Sequence, residues 1–224
     1  MRLTRSRFLI ALALLGIAVV VAASIHASHI VFPNAWLPAS SGEFKAPANG
    51  TQVDVHRYDG EWFDAAWAGR QDIIQALLDA GYPVNSRNAN GHTALTLGAY
   101  HGYTHVVTAL LGAGADPCLA DVNGNTALMG ALYQGYDEVA WLLISDCPVD
   151  QANGSGETAL AFAAMFDRSV FIPVLLKRGA DSEHRDRQGH TPQQVAQAQG
   201  AQAALAALHA WAAHPAAIVV KRRS

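Results

Sequence analysis

One short phrase returns along this sequence at an almost constant interval. It reads Asn90-Gly91-His92-Thr93-Ala94-Leu95, then Asn123-Gly124-Asn125-Thr126-Ala127-Leu128, Ser155-Gly156-Glu157-Thr158-Ala159-Leu160 and Gln188-Gly189-His190-Thr191-Pro192, with the threonines at intervals of 33, 32 and 33. The paired leucines Leu77-Leu78, Leu110-Leu111, Leu142-Leu143 and Leu175-Leu176 keep the same three intervals. Two independent markers in phase mean one supersecondary unit used repeatedly. The grammar inside a unit is helix, tight turn, helix, loop. Gly91 suits a turn with positive φ, Thr93 has a hydroxyl to cap the helix that follows, and Gly102 stops that helix after about two turns. Val106, Val107, Leu110 and Leu111 give the second helix one apolar face, and Gly114 ends it. Each helix is shorter than the roughly 12 to 15 residues at which an isolated helix becomes marginal, so the pairs must be stabilised by stacking.

A period of 33 with G-x-T-A-L, a turn glycine, a paired-leucine helix and Gly114-Ala115-Asp116 resembles the ankyrin repeat. The resemblance runs from about Tyr58 to Trp211 and implies an all-α solenoid of about five helix-turn-helix units, at about 58–88, 89–121, 122–153, 154–186 and 187–212. It also implies a concave groove bounded by first helices and loop tips. The first unit replaces the threonine phrase by Asp59-Gly60-Glu61-Trp62, as suits an end cap, and the last becomes alanine-rich.

The departures are informative. Family repeats carry histidine three residues after the threonine, where this chain has Thr96, Met129, Ala161 and Gln194, so some hydrogen bonds between family repeats are expected to be missing. The interval of 32 removes one residue between Gly135 and Thr158. In the fourth unit Asp167 takes the turn-glycine place and Pro173 falls inside the expected second helix, which predicts a late start near Ile172. This unit is expected to deviate most.

Outside the repeats, Phe8 to Ala23 is an uncharged, apolar run preceded by Arg2, Arg5 and Arg7. It reads as an N-terminal hydrophobic helix serving export. A signal peptide cleaved after Val21-Ala22-Ala23 and a retained anchor continuing to about Ala27 fit equally, because the run lies between the two typical lengths. Both place the remainder beyond an inner membrane of bacterial type, periplasmic or otherwise extracytoplasmic. Residues 28–57, with Pro33, Pro38, Pro47 and Asn49-Gly50, show no sustained period and read as an irregular linker. Residues 213–224 form a short basic tail. With the terminal basic clusters set aside, 9 basic residues face 18 acidic ones, which excludes nucleic acid as the main partner.

Nucleophile elbows, phosphate loops, HExxH and CxxC patterns are absent from the sequence. His101 and His105 stand four apart, but Gly102 between them marks a turn rather than one metal-binding helix face. Neither a metal nor a cofactor is expected. Cys118 and Cys147 occupy non-equivalent places in their units, so two separate, partly buried thiols are expected, with a disulfide across adjacent repeats as the alternative.

Candidate partner-binding residues follow from the period. Trp67, Tyr100 and Tyr133 keep the interval of 33, and Met165 continues the series. His101, Gln134 and Phe166 stand beside them. The resemblance puts these first-helix places on the groove, where aromatics are strong anchors; packing between repeats is the alternative. Arg87, Asn90, His92, Asp121, Asn125, Glu157, Arg187 and His190 belong to the loop tips, as a polar edge to the groove or as ordinary solvated loops. The expected function is a non-catalytic protein-protein interaction module of the cell envelope, monomeric apart from an unidentified protein partner. A scaffold or inhibitor of a periplasmic or secreted enzyme is the nearer alternative. A hydrolase using His92, His101 and His190 is the distant one.

Overall fold

The structure, a computed structural model, describes residues 55–144 and 147–213. The apolar run, most of the linker, and the tail from residue 214 lie outside the described residues. Among the described residues, a 3-10 turn at Val55–Tyr58 is followed by ten α-helices in five pairs. Unit 1 holds α1 (Asp59–Ala68) and α2 (Gln71–Asp79), and unit 2 holds α3 (Ala94–Tyr100) and α4 (Thr104–Gly112). Unit 3 holds α5 (Ala127–Gln134) and α6 (Asp137–Leu143), unit 4 α7 (Ala159–Met165) and α8 (Ile172–Lys177), and unit 5 α9 (Pro192–Gln199) and α10 (Gln202–Ala213). Strands are absent among the described residues, apart from one isolated bridge, Ala152 to Thr158. No described helix is long and apolar enough to cross a membrane.

The threonine phrase starts the first helices of units 2 to 5. Thr93, Thr126, Thr158 and Thr191 are extended N-caps whose hydroxyls accept the N–H three residues on. The place that the family gives to histidine is used locally here. Thr96 Oγ1 accepts the Thr93 N–H at 2.9 Å and Gln194 Oε1 accepts that of Thr191 at 2.9 Å, closing capping boxes. The side chain of Met129 takes the same position at 3.5 Å, and Ala161 has no polar group to offer.

First helices stack in a row from α1 through α3, α5 and α7 to α9. A single core runs the length of the stack, with Trp62, Leu95, Leu110, Leu132, Leu143, Leu160 and Leu175 at most 1% exposed. Each turn between paired helices also fits its neighbour by size. The open Cα of Gly102 is covered by the ring of Tyr136 one unit on, so a Cβ there would sit 2.5 Å from the ring. Gly69 under Tyr103 and Gly135 under Arg168 repeat the arrangement. Asp167 is the non-glycine exception among the described residues, with φ 56°. The position that corresponds to Tyr103 and Tyr136 one unit on is the small Ala201. Asp167 Oδ1 accepts the Ala204 N–H at 2.7 Å, capping the first turn of α10 from the preceding unit.

Unit 4 is where the packing changes. Pro173 sits in the first turn of α8, which begins at Ile172 as the missing N–H requires. The second helices pack α2 on α4, α4 on α6, and α8 on α10. Between units 3 and 4 the bridge is aromatic, with the Trp141 and Phe171 ring centroids 4.6 Å apart. The position lost from the repeat period falls at the end of α6, which is shorter than α4.

Cys118 and Cys147 are bonded to each other, with Cα atoms 5.3 Å apart. This corrects the expectation of separate thiols. Equivalence within the unit was the wrong measure, because the loop eight positions before one threonine lies against the loop eleven positions before the next. Asn85 Oδ1 accepts the Asp116 N–H at 2.9 Å between units 1 and 2, and Asp150 Oδ1 accepts that of Asp181 at 3.0 Å between units 3 and 4. Between units 2 and 3 the corresponding donor would be Pro148, which has no N–H. Cys118 holds the acceptor's place, and its sulfur reaches the residue beside that proline.

Candidate functional site

The loop tips are built by one recurring side chain. Asn88, Asp121, Asn153 and Asp186 each turn an Oδ1 back onto two N–H groups of their own tip, at 2.8 to 3.0 Å. Successive tips are then joined by backbone bonds. Asn90 O accepts from Val122 N at 3.0 Å, Asn123 O from Gly154 N at 2.6 Å, and Ser155 O from Arg187 N at 2.9 Å. The tips form a continuous wall because each threonine phrase carries a glycine at the crossing. At Gly124, with φ 83°, a Cβ would stand 2.8 Å from the Gly154 nitrogen.

Between this wall and the first helices lies a groove of about 900 Å³. Trp67, Tyr100 and Tyr133 line it from α1, α3 and α5, and His92, Asp121, Asn125 and Glu157 line it from the tips. Trp67 is 54% exposed, Tyr133 46% and Tyr100 38%, so the three rings are not consumed by packing between repeats. They nevertheless hold one another in place. Trp67 meets His101 edge-on at 4.0 Å, Tyr100 stacks on Tyr133 at 6.2 Å, and Phe166 abuts Tyr133 edge-on at 4.9 Å. Gly130 lies under the stack, where a Cβ would stand in ordinary van der Waals contact with the Tyr100 ring at 3.7 Å. Burial and the neighbouring Tyr133 and Tyr136 raise the pKa of Tyr100 against an opposing hydrogen bond from Gln134, so its hydroxyl stays a donor.

The other expected site residues are placed differently. His101 sits between Trp67 and Tyr103 with Nε2 buried and unpartnered among the described residues, and burial lowers its pKa. Arg87 hydrogen-bonds the carbonyls of Gly91 and Ala120, stapling two tips. His190 Nδ1 lies 3.5 Å from Asp186 on the last tip, and Arg187 is exposed beside it. Gln134 is exposed at the end of α5, and Met165 is half-buried at the end of α7. His92, His101 and His190 thus have three separate sets of neighbours and do not converge. His105 Nε2 is 3.0 Å from the Gly69 carbonyl, in a structural contact between units. Clusters of three or more metal-ligating side chains are absent among the described residues.

Several lining residues were not singled out from the sequence. Thr96, Leu97, Val122, Asn123, Ser155 and Phe162 complete the groove. Their signal was present in the frame of the period. Val122 and Gly154 both stand four positions before a threonine, and Asn123 and Ser155 three before, the same place as Asn90.

Helix pairs stacked in register, with a wall of joined tips facing a row of first helices, define a repeat domain whose exposed feature is an elongated groove. Residues 62–153 match the family model described as ankyrin repeats, in three copies, and this segment is a run of ankyrin repeats. Ankyrin repeats indicate a protein-protein interaction module. No curated protein matches the chain.

Proposed function

We propose that this is a non-catalytic binding module of the cell envelope that holds a polypeptide along the groove by surface complementarity. The observation that carries this reading is the row of part-exposed rings, Trp67, Tyr100 and Tyr133, spaced over three successive first helices on one side of the groove. Aromatic side chains with few rotatable bonds bury large area at low entropic cost, and those already braced by neighbours lose least on binding. The apolar run behind three arginines supports export beyond an inner membrane, as a soluble or an anchored protein. The Cys118–Cys147 bond is in keeping with an oxidising compartment.

The test is the variant Trp67→Ala/Tyr100→Ala/Tyr133→Ala in a crosslinking pull-down from an envelope fraction. The expected outcome is loss of the protein captured by the unaltered chain, with unchanged helical circular dichroism. Capture at the same yield by the folded variant would remove the groove from the account.

A further inference from the structure

The groove has a chemical bias. Among the described residues its lining includes the carboxylates of Asp121 and Glu157, with His92 Nδ1 3.9 Å from Asp121, and no lysine or arginine. The arginine of the first tip, Arg87, is engaged with backbone carbonyls, and Arg187 belongs to the last tip, beyond the lining. On the first-helix side of the groove lie the part-exposed rings of Trp67, Tyr100 and Tyr133, and aromatic rings attract cations to their faces through their quadrupoles. Glu157 is half-buried, with one oxygen accepting from Asn153 at 2.9 Å, and is the carboxylate available for direct contact. Asp121 is held more tightly within its tip, its side chain 8% exposed, and contributes field rather than contact. The surrounding body is acidic as well, with 9 basic against 18 acidic residues once the terminal clusters are set aside.

We propose that the groove is built for a basic polypeptide segment, whose Arg or Lys heads lie over the aromatic faces and against the Glu157 and Asp121 side of the wall. This rests on the groove reading above and adds the chemistry of the occupant. Charge complementarity of this kind sets partner choice and the rate of encounter.

The charge can be removed without disturbing the scaffold. Asn88 and Asn153 perform in their own tips the turn-closing role of Asp121, so Asp121→Asn copies a neighbouring unit, and Glu157→Gln keeps an acceptor for Asn153. The probe is a phage-displayed library of random nine-residue peptides selected on the full chain. Selected peptides are expected to carry an excess of Arg and Lys over Asp and Glu. They are expected to bind D121N/E157Q about tenfold more weakly. Asp137→Asn/Glu138→Gln removes the same charge from the start of α6, outside the groove lining, and is expected to leave binding within about twofold. Neutral or acidic selected peptides, undiminished binding to D121N/E157Q, or equal loss in both variants would each overturn the proposal. The groove reading survives those outcomes if the peptides are lost from the triple aromatic variant, and fails if they are retained there.

Discussion

At the residue scale, one side chain or its absence decides how two units meet. Gly124 and Gly189 hold the same place in the phrase, with φ of 83° and 86°. A Cβ at Gly124 would press on the backbone of Asn153 and Gly154, whereas at Gly189, on the last tip among the described residues, nothing lies within 4 Å. Gly189→Ala is therefore expected to cost only the left-handed conformation, about 1 kcal/mol, and Gly124→Ala at least about twice that, measured by urea unfolding. Equal losses would show that the crossing of the tips is not close-packed. His101 gives a second residue-scale prediction. Burial lowers its pKa in the folded chain, so the unfolded state binds the proton more tightly. The corresponding stability is present above the unfolded value of about 6.5 and is lost as pH falls from there through the depressed folded value. Melting temperature should thus fall between pH 7.5 and 5 more for the natural chain than for His101→Gln; parallel curves would assign the pH dependence elsewhere.

At the element scale, the Cys118–Cys147 bond takes over a joint whose neighbours are closed by hydrogen bonds, Asn85 to Asp116 and Asp150 to Asp181. It closes a segment of 29 residues of sequence separation, for which the chain-entropy account gives about 3.6 kcal/mol. Reduction, or Cys118→Ser/Cys147→Ser, is expected to lower stability by about that amount. Hydrogen exchange should accelerate first between units 2 and 3. Acceleration at all joints alike would mean that the bond acts on the unfolded chain alone. This element also marks the boundary of what the sequence made readable. Helix pairs, caps and the late start at Ile172 follow from contacts between near neighbours in the chain, and the phrase exposes them. The disulfide and the cap from Asp167 to Ala204 join places 29 and 37 residues apart that differ within the unit, and a comparison of like with like passes over them. The aromatic row was readable because Trp67, Tyr100 and Tyr133 keep the period. The wall opposite was not, because Asn123, Gly154 and Ser155 look like any turn residues until the bonds between tips are seen.

At the scale of the whole molecule, stability is a sum over neighbours, because each helix pair buries its apolar face mainly against the next. Unit 5 closes one end with Val195, Ala196, Ala204 and Leu208, all less than 9% exposed. It also supplies the Ala204 N–H that Asp167 caps. Ending the chain at Asp186 would uncover the α7 and α8 faces that α9 and α10 cover, and would leave Asp167 in a left-handed conformation without its partner. Such a chain is expected to melt lower and less cooperatively, with hydrogen-exchange protection lost first in unit 4 and kept longest in units 1 and 2. The aromatic row of Trp67, Tyr100 and Tyr133 belongs to units 1 to 3, so its fluorescence should outlast the loss of the end cap, whereas the contact from Glu157 in unit 4 should be lost with that unit. Protection falling evenly through every unit would instead make the stack a single cooperative block, in which the groove could not persist once either end was removed.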